Sequence, residues 1–402
     1  MSDYFPEEVI QKILLRLPIK SIIKSTAVCK SWMSLIKSST FIQSHLRSTI
    51  DSDAHLLLLS ASSYNREDDT SHQHHWLHWD SPEFGEYSEL SNPVIFLKNK
   101  RVSDLGVVGT CNGLVCLEAD DFYSDSSPTL IWNPCIRKIV MLPSPPACFT
   151  STEYDKYTTH GFGYDSHSND YKVLRVVTLV DDHSDLSRFA TVVQVYSLAR
   201  GSWKSLNASD VPKDLQGDSS PAFVNGILHM LEARLSVYYY DHSEEHRKCG
   251  GDQFISSFNL ATELFGEVMI PEALQKDRCS ISRYGDSLAL IKHYDYDCRD
   301  LLNRGCDIWV MKEYGVAESW TYLFNIAVVQ ASIYGFKRCG EVVLMENDDR
   351  GQSRMLSLDP NSKQVKVFGI KDYIYGFMDS FVESLVMLDH ANVISYQVAR
   401  KR

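Results

Sequence analysis

No apolar run in the 402-residue sequence approaches the roughly 18 residues of a membrane-spanning helix. Acids and polar groups stand near Met1, where a signal peptide needs an apolar stretch, so the expectation is a protein that stays inside the cell, in the cytoplasm and/or nucleus. The ten cysteines lack the two-residue metal spacing: Cys111 and Cys116 are too far apart, as are Cys298 and Cys306. They read as reduced core residues. Asn207-Ala208-Ser209, formally a glycosylation acceptor, reads as a loop. There is no Gly-x-x-x-x-Gly-Lys phosphate cradle, no His-Glu-x-x-His and no Gly-x-Ser-x-Gly turn, and Gly161-Phe162-Gly163 lacks a third glycine. Acidic pairs such as Asp68-Asp69, Asp120-Asp121, Asp181-Asp182 and Asp348-Asp349 read as solvated loop surface. No residue is assigned a catalytic role.

Cationic charge is also scarce. The formal charge is −12, and residues 1 to 45 hold six Lys and Arg against three Asp and Glu, a balance of +3 that leaves −15 on the remainder. An acidic body argues against nucleic acid, whose phosphates need Lys and Arg, and favours either a basic protein partner or simple solubility. His72, His74, His75 and His78 make the one histidine cluster. Read as a polar loop between strands, it gives no reason for tetrahedral convergence, so neither metal nor cofactor is expected.

What is present begins with a strongly patterned stretch, Phe5 to Leu46. Pro6, Glu7 and Glu8 suit the first turn of a helix, with carboxylates at the positive end of its dipole. Val9, Ile10, Ile13, Leu14 and Leu17 recur at helical spacing, and Pro18 interrupts them. Ile19, Ile22, Ile23, Ala27 and Val28 continue the period; Cys29, Trp32, Leu35 and Ile36 form a third group, and Ser38 or Ser39 caps a last turn holding Phe41, Ile42 and Leu46. Three or four short helices follow from this pattern. About 40 residues bury too little surface to stand alone, so the surplus apolar face packs on the rest of the chain or on a partner.

Phe5-Pro6-Glu7-Glu8, the Leu17-Pro18 break and Val28-Cys29-Lys30-Ser31-Trp32 together closely resemble the F-box of plant proteins over residues 5 to 46. Two departures stand out: Phe5 occupies a position that is usually Leu, and Lys24-Ser25-Thr26 replaces the more frequent Arg-Phe-Lys. The resemblance implies that the bundle binds the Skp-type adaptor, and through it the cullin, of a Skp-cullin-F-box ubiquitin ligase. It assigns that contact to Phe5, Pro6, Ile10, Leu14, Leu17, Pro18, Val28, Cys29, Trp32 and Ile36, with Trp32 as anchor.

After Leu46 the pattern turns strand-like. His55 to Leu59 is a buried run, residues 60 to 75 read as polar, and Trp76, Leu77, Trp79 and then Val94 to Leu97 suggest further strands. From Gly109 a unit of turn, strand, loop, strand, turn and closing strand recurs five times. Its clearest copy is Cys111-Asn112-Gly113-Leu114-Val115, then Leu130 to Pro134, then Arg137 to Leu142, with Asn-Gly supplying the positive φ of a tight hairpin. Taking Trp132, Tyr196, Phe258, Trp309 and Leu356 as equivalent points gives steps of 64, 62, 51 and 47 residues. These bracket the roughly 50-residue period of kelch-type blades. A propeller closes on itself, and Ser384 to Leu388 is expected to complete a blade with strands from residues 54 to 97. The expected fold is a small all-α bundle over 1–47 followed by an all-β kelch-like propeller of six blades over 48–402.

Trp132-Asn133-Pro134-Cys135-Ile136-Arg137-Lys138, Asn169-Asp170-Tyr171-Lys172-Val173, Val195 to Leu198 with Ser202-Trp203-Lys204, and Glu383 to Val386 resemble the F-box-associated, kelch-like region of plant F-box proteins, and the wording is close to the S-locus F-box and S-locus F-box-like branch. The resemblance implies a substrate-recognition subunit whose propeller loops bind a protein client for ubiquitination and proteasomal degradation. In the S-locus branch, the client is a basic pistil ribonuclease in self-incompatibility. The candidate client loops are 60–75, 148–160, 180–190, 207–220, 240–253 and 292–306, with Tyr238, Tyr239, Tyr240 and Asp241 as contacts suited to a basic partner. The alternative of another class is a propeller-fold enzyme, its site near the central channel and its helical end merely packed on it.

Overall fold

A computed structural model describes residues 6–52, 55–65, 70–93, 95–97, 100–102, 105–119, 128–148, 155–180, 188–212, 215, 220–233, 253–275, 277–294, 305–326, 332–347, 353–371 and 375–396. Four helices come first: α1 (Glu7–Leu14), α2 (Ile19–Ser25), α3 (Lys30–Lys37) and α4 (Ser39–Ile50). Pro6 and Pro18 sit at the N-caps of α1 and α2, where the missing amide hydrogen costs nothing, and Ser38 caps α4 by accepting from the Phe41 amide at 3.2 Å. Leu14, Ile19, Ile22, Ile36 and Phe41 are buried. Helix α4 runs on to Ile50, past the expected boundary at residue 47.

The strands follow in order. β1 (Leu56–Asn65), β2 (Thr70–Trp79) and β3 (Glu86–Leu90) are joined by a two-stranded ribbon, β4 (Ile95–Leu97) and β5 (Lys100–Val102), to β6 (Leu105–Cys111), β7 (Leu114–Ala119), β8 (Thr129–Asn133) and β9 (Lys138–Met141). Four meanders come next. The first is β10 (Asp155–Asp165), β11 (Asp170–Val180), β12 (Arg188–Ser197) and β13 (Ser202–Ser205); the second is β14 (Ala222–Val224), β15 (Ile227–Ala233), β16 (Gln253–Asn259) and β17 (Leu264–Val268). The third is β18 (Cys279–Tyr284), β19 (Ser287–His293), β20 (Cys306–Met311) and β21 (Trp320–Ile326); the fourth is β22 (Ser332–Phe336), β23 (Val342–Asn347), β24 (Ser353–Leu358) and β25 (Val365–Lys371). The chain ends on β26 (Tyr375–Phe381) and β27 (Ile394–Ser395).

These make six sheets of four or five strands among the described residues, the six blades expected. Two compact units divide them: 1–142 with 374–402 carries the helices and two blades, and 143–373 carries four. Trp132, Tyr196, Phe258, Trp309 and Leu356 all lie on the third strand of their sheets, opposite Val115, Val173, Leu228, Leu290 and Leu344 on the second. Within the second unit the core lies between neighbouring sheets, as where Leu174, Val176, Val193 and Val195 meet Leu228, Met230 and Phe258. In the first unit Leu56, Leu58 and Leu77 of one blade pack on Val115, Leu117, Leu130 and Trp132 of the other.

Three expectations are corrected. The C-terminal strand that completes the first blade is β26, pairing Phe381 with Leu56; residues 384–388 instead run as irregular backbone into a turn over 386–389, because Ser384 is fully buried and its carbonyl is taken by the Asn133 side chain rather than a strand. Residues 60–75 are not one polar loop but the arms of the β1–β2 hairpin, Ser60 opposite His75. The histidines there lie along β2, with the adjacent His74 and His75 on opposite faces of the strand. Ile95–Leu97 enters the ribbon rather than a blade, whose outer strand is β3.

Candidate docking surfaces

Helix α1 carries more apolar residues than one face can bury. Ile10, Leu14 and Leu17 fall on one line and point inward, while Val9 and Ile13, a third of a turn away, are 38% and 50% exposed. Val28 is 64% exposed and Met33 39%, and between them Cys29 is exposed and Trp32 half-buried. The helices therefore leave apolar side chains in solvent at both α1 and the start of α3. Of the ten residues assigned by resemblance, Pro6, Pro18, Val28 and Cys29 are exposed and Ile10, Leu17 and Trp32 half-buried. Leu14 and Ile36 are fully buried and support the bundle from inside; Phe5 lies outside the described residues. Val9, Ile13 and Met33 are the surface residues missing from that assignment, and the second stripe on α1 was the signal for two of them. At Cys29, the Ser31 hydroxyl 3.1 Å from the thiol and then the Trp32 amide hold its pKa below the ordinary value.

Strand alternation sorts the connections of every blade by edge. First-to-second and third-to-fourth turns leave one edge, the hairpin edge; second-to-third connections and the links between blades leave the other. The hairpin edge is built tightly. Asn112-Gly113 and Asn225-Gly226 both hold φ near +51° and +79°, closing Cys111 on Leu114 and Val224 on Ile227. At third-to-fourth turns a side-chain cap recurs: Asn133 Oδ1 accepts from the Cys135 amide at 3.0 Å, Asn259 Oδ1 from Ala261 at 2.9 Å and Asp359 Oδ1 from Asn361 at 2.9 Å. Four residues after each cap, Arg137, Glu263 and Lys363 take positive φ.

The opposite edge carries residues 66–69 and 120–128 in the first unit, and 181–187, 234–252, 294–305 and 348–352 in the second. The candidate client loops 180–190, 240–253 and 292–306 take in such second-to-third connections, and 148–160 and 207–220 links between blades, but 155–160 is already strand β10 and 188–190 strand β12, and 149–154, 181–187, 240–252 and 295–304 lie outside the described residues. All leave the same edge of their sheets. Tyr238, Tyr239, Tyr240 and Asp241 lie outside the described residues.

In the first unit α4 feeds β1 at the hairpin edge, since Leu56 opens the second strand of its blade. Residues after β26 cross the same edge: Asn133 Nδ2 donates to the Ser384 and Val386 carbonyls at 3.0 and 2.9 Å. Glu383 is held there; burial raises its pKa, opposed by a hydrogen bond from Tyr87 and by Lys20 of α2. Within the first unit, the helical bundle thus joins the edge opposite the β1–β2 and β7–β8 connections.

A propeller-fold enzyme would need an activated nucleophile. Ser280 Oγ lies 2.8 Å from His293 Nε2, and burial, then Arg278, keeps the ring's pKa low. Among the described residues no carboxylate hydrogen-bonds the other ring nitrogen to orient it, so the pair lacks the third member of a nucleophile triad. Of the histidine cluster, His75 is fully buried and His78 Nδ1 lies 3.1 Å from the Phe84 carbonyl; among the described residues no group of three metal-ligand side chains gathers.

A capped helical bundle leading into blades with a tight edge and a long-loop edge defines a modular binding protein. Residues 3–44 match the F-box domain and residues 82–388 the F-box associated beta propeller domain, so the chain belongs to the F-box family with an associated propeller. It is 26% identical to F-box protein CPR1 of Arabidopsis thaliana across 95% of this chain and 88% of that one. It is 27% identical to the F-box/kelch-repeat protein At3g23880 of the same plant, covering 80% and 79%. F-box protein At3g07870, also from Arabidopsis thaliana, is 28% identical over 81% and 73%.

Proposed function

We propose that the chain is the substrate-recognition subunit of a Skp-cullin-F-box ubiquitin ligase, acting in the cytoplasm and/or nucleus. The exposed Val9, Ile13, Val28 and Met33 supply the apolar contact for a Skp-type adaptor, and the long-connection edge receives the protein client. The observation that carries the reading is the exposed apolar line on α1 and α3, joined to blades whose second and third strands are linked by long connections. A client bound by those connections is held on the same chain as the adaptor contact, and the gain in rate is effective concentration, with no bond made or broken by this chain. The acidic body favours a basic client. The narrower reading, a pollen S-locus determinant binding pistil ribonucleases, is supported by the wording of residues 132–138 and is tested by capture of such ribonucleases from pistil extract.

The test of the ligase reading is co-purification of the full chain with a Skp-type adaptor, compared with Ile13→Asp/Val28→Asp. Retention of adaptor by the unaltered chain and its loss in the double variant, at unchanged thermal unfolding, supports the reading. Failure of the unaltered chain to hold any such adaptor overturns it.

A further inference from the structure

Exposed apolar side chains stand on several outer strands, Leu264 of β17 at 60% and Tyr322 of β21 at 46% among them, and β25 presents two at alternate positions together with lysines. β25 is the last strand of its sheet, with Val365 and Val367 55% and 58% exposed, and Lys366 between them and Lys363 just before are exposed as well. Arg354 on the adjoining strand is committed to Glu346 at 2.6 Å, and Lys363 Nζ stands 5.6 Å over the Phe324 ring, so Lys363 is fixed near the edge by a ring rather than by a carboxylate. Lys366 is close enough to Asp359 to help keep it ionised. Residues 363–367 thus form a short cationic and apolar border on a chain whose net charge is −12.

An outer strand with unpaired backbone groups is a template for another strand, and this fold already accepts one: β27 adds a fifth strand to the outer edge of β9, Ile394 opposite Ile139 and Ser395 opposite Lys138, with Lys138 Nζ donating to Ser395 Oγ at 2.7 Å. We infer that the outer edge of β25 is a strand-addition site for an extended segment of a partner protein in which apolar and acidic residues alternate. The backbone of such a segment pairs with β25, its apolar side chains cover Val365 and Val367, and its carboxylates meet Lys363 and Lys366. A second copy of β25 is disfavoured, because the antiparallel register that covers valine with valine sets Lys366 against Lys366. The inference is independent of the ligase reading.

The probe is a ten-residue peptide of alternating Val and Glu, with a Val and Lys counterpart, titrated into the full chain. The expected result is binding of the glutamate peptide alone, slowed amide exchange across residues 365–371, and weakening by about tenfold or more in Lys363→Glu/Lys366→Glu, which in turn accepts the lysine peptide. Both lysines are exposed, and should that variant fail to fold, exchange measured on the unaltered chain decides. Unchanged exchange at 365–371, equal binding of both peptides, or concentration-dependent self-association through this edge in place of peptide binding overturns the inference.

Discussion

The ammonium of Lys172 reaches Glu263, 91 residues away in sequence, at 3.2 Å, and so ties the meander β10–β13 to the meander β14–β17 at the hairpin edge. Lys172 is 3% exposed and its three donors are all used: Asp165 lies at 3.1 Å and the Leu260 carbonyl accepts at 2.6 Å. Glu263 also takes Lys204 at 2.7 Å. Replacing Glu263 by Ala leaves Lys172 two acceptors, so the expected loss is about 1.5–3 kcal/mol, the range for a hydrogen bond to a charged group. Lys172→Met removes the same link, and the double variant is expected to lose less than the sum. Urea denaturation of the unaltered chain, both singles and the double variant measures the coupling, and a strictly additive result refutes the link.

Acid should unfold this protein in two stages. Burial, and for His75 the charge of His74, pushes the fully buried His75 ring down to about 3, and burial pushes His229 to about 4. Each is neutral when folded while its unfolded counterpart binds a proton below about 6.5, so stability falls as pH drops through that value. The slope is about 1.4 kcal/mol per pH unit for each ring, down to its folded pKa. The second stage comes from carboxylates. Burial by itself raises Asp165 and Glu263; hydrogen bonds from Ser168 and Lys172 for the first, and from Lys204 and Lys172 for the second, reverse this and leave both below the ordinary range. Their contribution is complete above the unfolded carboxylate pKa, near pH 4, and is lost as pH falls below it toward the lowered folded values. His75→Phe should flatten the profile between about pH 6.5 and 3, reaching into the upper part of the carboxylate limb, and leave the slope below about pH 3 unchanged. Equal slopes in both proteins refute the assignment.

The blades were legible because their signals are local. Asn-Gly hairpins mark two blades, at Asn112-Gly113 and Asn225-Gly226, and an aromatic or aliphatic residue stands at an equivalent point on the third strand of five of the six. The first blade was harder to read because its first strand is β26, more than 300 residues from its partner β1, and no local pattern announces such a pairing. Lys172 showed the opposite limit: Asn169 to Val173 was visible as a motif, yet its partner Glu263 sits on another blade. On α1 the stripe of apolar residues was plain, but its division into an inner line and an exposed line follows from packing.

That division makes opposite predictions for neighbours in sequence. Leu14→Ala and Ile36→Ala remove fully buried side chains and should each cost about 2–5 kcal/mol, read as a lower unfolding midpoint of the helical bundle. Val28→Asp alters a side chain 64% exposed and should change stability by less than about 0.5 kcal/mol. If adaptor capture is lost in Val28→Asp without loss of stability, the exposed line is the contact; if Leu14→Ala loses it at full stability, the contact lies elsewhere.

Asn133 offers the sharpest test of how the tail holds the hairpin edge in the first unit. Its side chain is fully buried and works in both directions, accepting from the Cys135 amide and donating to the Ser384 and Val386 carbonyls. Beside it, a Cβ on Gly113 would lie 2.4 Å from the Val382 carbonyl, so the tail passes with no room to shift. Asn133→Ala leaves two carbonyls and an amide without their partner, at about 1–3 kcal/mol for each group left buried. Asn133→Asp keeps the acceptor but turns a carboxylate oxygen toward the two carbonyls, so it should be at least as harmful although it is the smaller chemical change. Amide exchange across residues 382–396 should quicken in both variants. Because Tyr396 hydroxyl also receives the Trp132 indole N–H at 2.8 Å, the far end of the tail keeps a second anchor, and the quickening should be greatest near Ser384. Uniform exchange along the tail would mean that Asn133 is not what holds it.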